Sequence, residues 1–365
     1  MSLDAINISI QVSFMAIPYY IGIREGYFAE QGIEPTTIVY PSGAPQVKAA
    51  VEDKTWDLGV AGVVPNIIGG AQGLLGIGIC FDQSAINQLV GNALGADMWP
   101  PETLEGIAIA TSPNSTGDFV VQACLQAQGY DLNDITWIYA QQNGVIESLE
   151  PGLNGTEARA VYGGLWAPNT YRFLENNEDS QVLCRGDTVY ATVTGGFMVR
   201  DDFAEEKPEV VTKTMAAWLR GIEFVKDRDT NEEAIFQYME EFYAEQGVML
   251  SRAAMEEDMR LIKLYSLDEQ IALMERKGDP PSSQLDFWTI DISEFMLKNG
   301  VVASYPAPVD YITDKFFLSI RDDPELAAFA RGQDPEVIQQ SDSATGMWTG
   351  HFSLYLCLVW AVVYR

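Results

Sequence analysis

The stretch PYYIGIREGYFAEQGIEPTTIVYPSGAPQVKAAVEDKTWDLGVAGVVP, residues 18–65, alternates the two periodicities from which an α/β fold is built. Helical spacing covers 17–31, and Gly32 follows as a C-cap. A strand is predicted at 36–40. Pro41-Ser42-Gly43 then turns the chain into a helix over 44–53, and a strand follows at 57–61. Upstream, Ile6, Ile8, Ile10 and Val12 recur at period two, so 6–12 reads as the opening strand. Downstream, 74–80 is a further apolar strand.

Outward from this core the pattern breaks and restarts. Residues 83–102 contain Gly91, Gly95, Trp99, Pro100 and Pro101 with weak periodicity, and read as a crossing segment. Strands are then predicted at 106–111, 135–140, 158–162 and 181–184, with helices at 116–128 and 145–153. A second break falls at 185–196. Beyond it come amphipathic helices at 207–226, 231–245, 251–265 and 286–298, the acidic run 201–209 being a solvated helix start. Two α/β units joined by two crossings imply two lobes. The expected division is 1–85 with 195–317 as lobe 1, 86–194 as lobe 2, and 318–365 as a C-terminal extension. In such folds a ligand lies beyond the carboxyl ends of the strands.

Composition narrows the function. Lys plus Arg total 22 against 52 Asp plus Glu in 365 residues, a formal net charge of -30. That excludes a basic nucleic-acid footprint. The acid excess reads as a solubilising surface, or as a field that steers a cationic ligand. The single histidine, His351, lies near the C-terminus, which removes zinc sites, Ser-His-Asp triads and His general bases from the main body. Cys80, Cys124, Cys184 and Cys357 form no CxxC pair; Cys80 and Cys124 read as buried packing thiols, and their spacing suggests no disulfide. The opening MSLDAINISIQV has no signal-peptide character, so the protein is cytosolic or its export signal is missing from this sequence. Residues 347–364 are apolar and aromatic, with three readings: a membrane anchor, a buried terminal helix, or a segment foreign to the fold.

Residues 18–65 closely resemble the opening of type II periplasmic substrate-binding proteins of ABC transporters, in the nitrate, taurine and aliphatic-sulfonate group, which includes thiamine-pyrimidine precursor binders. The carrying elements are GYFAEQGI, the SG turn at Ser42-Gly43, and WDLGVAG before Val63-Val64-Pro65. TSPNSTGDFVVQACLQAQG, residues 111–129, is similar to the second lobe's first strand-turn-helix. ARAVYGGLWAPNTYRF places Trp166 at the family's tryptophan, with Ala167 where an Asp is common. NGVVASYPAPVDYITDKFF, residues 299–317, is similar to the final element. The resemblance implies a two-lobed type II periplasmic-binding fold with two hinge crossings. It also implies a monomer that captures a small solute without a cofactor, delivers it to a membrane ABC permease, and works in the periplasm or cell envelope.

Four loops are expected to converge on the cleft: Ser13, Phe14 and Met15; Ser42 and Gly43; Gly62 and Val63; and Ser115, Thr116 and Gly117. The last opens a helix whose free N–H groups and partial positive charge suit an anion. Ser42, Ser115 and Thr116 read equally as ordinary helix caps. Trp166 reads as an aromatic wall or as core. Thr194 and Gly195, with Gly196, read as ligand neighbours or as hinge. Asp82 reads as a turn residue, or as an amine ligand. The enzyme alternative on this fold, the thiamine-pyrimidine synthases, consumes an active-site histidine and carries a cysteine-rich iron motif; neither is present before residue 351. The remaining alternative is a stand-alone ligand sensor.

Overall fold

Ile6, Ile8 and Ile10 form one buried face of β1 (Asp4–Gln11), and Ser9 and Gln11 are buried on the other. A strand covered on both faces belongs inside a parallel sheet, and β1 sits there. The computed structural model describes residues 3–152, 157–189 and 192–333. After β1 come β2 (Ile33–Tyr40), β3 (Leu58–Gly62), β4 (Leu74–Asp82), β5 (Asn87–Gly91), β6 (Ala108–Thr111), β7 (Thr136–Tyr139), β8 (Tyr162–Trp166), β9 (Gln181–Arg185), β10 (Thr194–Arg200) and β11 (Lys263–Leu264). They form a six-stranded sheet, β11-β4-β10-β3-β1-β2, and a five-stranded sheet, β7-β6-β8-β5-β9. β1 is parallel to β2 and β3; β10 returns antiparallel between β3 and β4.

The helix expected over 17–31 is two helices, Ile17–Arg24 and Tyr27–Glu30. Gly26, at φ 79°, separates them, a left-handed conformation that glycine adopts without steric cost. Over them lies Pro208–Lys226, the central helix of the larger lobe. Gly221 lets it approach closely, because a Cβ there would lie 2.1 Å from the Pro18 carbonyl oxygen. Trp218 packs between Tyr19 (centroids 4.8 Å apart) and Phe197 (5.1 Å).

The structure corrects three expectations. First, the boundary at 317/318 does not separate an extension. Helices Lys315–Asp322 and Pro324–Ala330 pack on Pro208–Lys226, and Phe316, Phe317, Ile320 and Phe329 join the same core as Trp218. Second, the strand expected at 158–162 lies further along the chain, as β8, and Gly163 and Gly164 lie inside it. A Cβ at these positions would fall 2.8 Å from Leu149 and 2.7 Å from Val121, so glycine is what lets helices press on both faces of the strand. Third, Cys124 is bonded to Cys184 in a disulfide, with Cα atoms 6.1 Å apart across a sequence separation of 60. Cys80 is a free buried thiol, as its context implies. β5 lies within what reads as the first crossing. The apolar segment 347–364 lies outside the described residues.

The two crossings are short: residues 83–86 lead from β4 to β5, and 186–193 from β9 to β10. They are bonded to each other. The Gln83 N–H donates to the Val193 carbonyl at 2.8 Å, and the Val193 N–H donates to Ser84 Oγ at 2.8 Å. Ser84 Oγ donates in turn to Asp82 Oδ1 at 2.6 Å, and the Ser84 N–H donates to the same oxygen at 2.9 Å. Asp82 is therefore a turn residue at the hinge. Away from the hinge, Tyr171 of helix Asn169–Asn176, which follows β8, is buried in the larger lobe's core. That core also holds Tyr243, whose hydroxyl donates to the fully buried Asp258 at 3.4 Å. Burial pushes the Asp258 carboxyl up to about 7, against the opposing hydrogen bond from Tyr243.

Two stability outcomes follow. Ser84→Ala leaves the Val193 N–H without its acceptor in a buried hinge, and is expected to cost about 1–3 kcal/mol by urea unfolding; a cost below about 0.5 kcal/mol would show the hinge to be held otherwise. For Asp258 the folded pKa lies above the unfolded value, so ionisation is penalised only in the folded state. Its contribution to stability is whole below pH 4 and is lost as pH rises to about 7. Asp258→Asn should therefore gain on the parent between pH 4 and pH 8, by at most about 4 kcal/mol. A stability difference that does not change with pH would contradict the assignment.

Candidate functional site

β1 ends at Gln11, and the chain turns through extended Ser13 into the short turn Phe14–Ala16. β3 ends at Gly62, directly before helix Val63–Gly70. From the smaller lobe, helix Thr116–Ala127 begins where these strands end, and β8 delivers Trp166 beside it. Between them is a cavity of about 20 Å³, room for about one water molecule. The lobes are thus closed on each other.

Closure depends on glycine. A Cβ at Gly62 would lie 2.0 Å from Thr116 Oγ1, so larger-lobe backbone meets a smaller-lobe hydroxyl directly. A Cβ at Gly117 would lie 2.9 Å from the Trp166 indole, and one at Gly43 2.1 Å from Pro65. Ser13, Met15, Gly43, Gly62, Ser115, Thr116, Gly117 and Trp166 line the cavity, which brings together most of the residues expected there. Five others lie outside the lining. Phe14 is wholly buried in the larger lobe's core. Ser42 precedes helix Gly43–Asp53 and makes no cap hydrogen bond. Val63 packs in the cluster shared with helix Thr116–Ala127, and with Thr194 it lines a separate void of about 30 Å³. Thr194 contributes its carbonyl, which accepts from Gln83 Nε2 at 2.7 Å. Gly195 runs behind Met15, where a Cβ would lie 3.0 Å from the Met15 sulfur.

Sequence reading missed Gln11, Phe81, Gln83, Ile86 and Asn87 in the lining. Gln11 carried a signal: it is a polar residue at the end of an isoleucine-rich strand. Asn87 had none, because its strand reads as a crossing. Gln11 is held by Gln46 at 2.9 Å, and Gln46 is fixed by bonds to Ser9 Oγ at 2.7 Å and the Val60 carbonyl at 3.0 Å. Gln142 does the same for the opposite wall. Its Oε1 accepts from the Trp166 N–H at 3.2 Å, and its amide donates to the Gly164 carbonyl at 3.1 Å.

The cavity lining contains no ionisable side chain among the described residues. Ser115 is a cap, accepting from the Asp118 N–H at 3.0 Å and donating to the Ser112 carbonyl at 2.7 Å. The hydroxyls of Ser13 and Thr116 differ. Both are buried without a hydrogen-bond partner, one from each lobe. A buried hydroxyl left unpaired costs about 1–3 kcal/mol, which a guest in the cavity could recover. With the positive end of helix Thr116–Ala127, they make a small site suited to a hydrogen-bond acceptor that carries partial or full negative charge.

Comparison with known proteins gives three likenesses. A candidate aliphatic sulfonates-binding protein of Bacillus subtilis (strain 168) is 28% identical over 232 residues, 62% of this chain and 66% of the relative, just under two thirds of its length. The alkanesulfonate-binding protein SsuA of Xanthomonas axonopodis pv. citri, solved bound to MOPS, superposes with a TM-score of 0.67 at 13% identity, over 86% of this chain and 99% of that one. A Candida albicans gene product with the generic periplasmic binding protein fold gives a TM-score of 0.63 at 10% identity, over 86% of this chain and 97% of that one. The two-lobed fold of this chain is therefore the periplasmic-binding-protein fold, as its opening residues imply. The family profile described as NMT1/THI5 like matches residues 13–231, more than half of the chain, and the chain belongs to that family.

Proposed function

We propose that this chain is the solute-binding component of an ABC importer, which closes its two lobes on a small sulfonate-class anion at the cell envelope and passes it unchanged to a membrane permease. The observation that carries this reading is the pair of unpartnered buried hydroxyls, Ser13 and Thr116, contributed by opposite lobes to one cavity at a helix N-terminus. The kinship with the Bacillus subtilis protein points the same way. Binding without transformation is supported by the lining itself. Hydroxyls, carboxamides, a thioether and an indole exchange no proton near neutral pH and offer no activated nucleophile. A cavity of about 20 Å³ admits a solute only if the lobes part first, and the solute is then gripped because it favours lobes closed around it, less tightly than they close on the empty cavity.

A thermal-shift and calorimetric panel of methanesulfonate, longer alkanesulfonates, taurine and nitrate tests this. The true solute at about 100 times its Kd should add about 2.7 kcal/mol of stability. Thr116→Val should weaken that solute roughly tenfold by removing one hydrogen-bond donor. Gly62→Ala should weaken it at least as much, because its methyl group holds the lobes apart, and small-angle scattering should report a larger particle. No shift with any panel member would sink the sulfonate reading; parent-like affinity in Gly62→Ala would sink closure.

A further inference from the structure

Away from the interlobe cavity, a much larger groove, about 860 Å³, lies between the smaller lobe and residues 298–301 of the larger one. One wall is β7, the edge strand of the five-stranded sheet. Trp137 and Tyr139 stand two residues apart on it, so they project from the same face. Their rings are parallel to within 5°, with centroids 6.1 Å apart, and Tyr139 is 53% exposed. The facing wall is helix Thr116–Ala127, which presents Asp118, Gln122 and Gln126. These are spaced i, i+4, i+8, a single helix face with a step of about 6 Å. Two parallel aromatic rings and a row of hydrogen-bonding groups therefore run opposite each other with matching repeats.

The polar row is only partly satisfied internally. Gln126 Nε2 donates to Asn299 Oδ1 at 2.9 Å, which turns the amide without using its oxygen. Asp118 is 5% exposed, and its Oδ1 is buried with no hydrogen-bond partner. The chemistry of the walls selects the guest. An apolar molecule would set carbon against Asp118 and Gln122 and offer no partner for their remaining hydrogen-bonding capacity. An anion would meet the carboxylates of Asp118 and Asp131, and Lys298 opposes a cation at the groove's other end. A neutral polyhydroxylated ring fits every element: its hydroxyls both donate and accept along the helix, and its C–H face packs against the aromatic rings.

We propose that this groove is a second binding site, for a neutral oligosaccharide of two or three rings lying along β7 with its hydroxyls toward Asp118 and Gln122. It is independent of the interlobe cavity and does not rest on the transport reading. The test is titration of the full chain with maltotriose, cellotriose and chitotriose, followed by calorimetry and tryptophan fluorescence. One of these is expected to bind with a change in tryptophan emission. Trp137→Ala should abolish that change and weaken binding at least tenfold. Tyr139→Ala, at an exposed position the fold does not need, and Gln122→Ala should each weaken it severalfold. All three variants should leave any sulfonate-induced thermal shift untouched. The site is overturned if none of the three sugars binds at millimolar concentration, if binding survives both aromatic substitutions unchanged, or if choline binds there in preference to the sugars.

Discussion

The molecule's working geometry depends on the short hydrogen-bonded ribbon that joins its two crossings. Gln83 and Ser84 on one strand of that ribbon, and Val193 on the other, exchange bonds at 2.8 Å in both directions, with Asp82 holding the turn. Two independent linkers would let the lobes slide and twist. Two linkers bonded side by side leave mainly one soft motion, a bend about the ribbon. Thr194, the first residue of β10, accepts from Gln83, so the bend is anchored to the middle of the larger sheet. Closing about that axis brings the same groups of the two lobes to face one another each time.

Glycine and hydroxyl placement then set what closure achieves. Gly62 and Gly117 allow backbone and indole to approach where any Cβ would block them, and the space they free is where Thr116 and Ser13 present unpaired hydroxyls. The walls are stiffened from behind by Gln46 and Gln142, each of which bonds at least two neighbours from a buried position. The selectivity of such a site comes from fixed dipoles rather than flexible charges. Helix Thr116–Ala127 serves two surfaces at once: its N-terminus meets the cavity, while Asp118, Gln122 and Gln126 face the outer groove. Its disulfide from Cys124 to Cys184, close to the second crossing, fixes the helix to β9 and so to the hinge.

Much of this was legible in the residues, and the parts that were not share a cause. β1 could be read because Ile6, Ile8 and Ile10 sort onto one face by local spacing alone. The cavity loops could be read because small and hydroxyl residues sit where strands end and helices begin. β8 lies further along the chain than expected, and only the helices pressing on it from Leu149 and Val121 explain its Gly163 and Gly164. β5 and its Asn87 were hidden for the same reason: the strand is short and is defined by its partners β8 and β9. The disulfide joins cysteines 60 residues apart, a distance over which spacing carries no geometric information. Thr194 and Gly195 lie outside the cavity lining because their position follows from the antiparallel return of β10.

The charge balance and the site chemistry pull in opposite directions, and their ranges decide between them. A chain with a formal charge of -30 repels an approaching anion, yet the cavity is lined without a single ionisable group. The repulsion belongs to surface carboxylates in water and is damped over about 8 Å at physiological ionic strength. The attraction belongs to helix amides and buried hydroxyls at contact distance, where water is excluded and dipoles act at much lower effective dielectric. Only the second would act on an anion placed in the cavity. A cationic side chain in the cavity would strengthen long-range capture, but it would also have to be desolvated on closure, and it would hold any anion of the right sign. Hydroxyls and amides impose distance and direction instead, so a site built of them discriminates by shape. In an acidic protein that is the arrangement compatible with both a soluble surface and a small, dry, selective cleft.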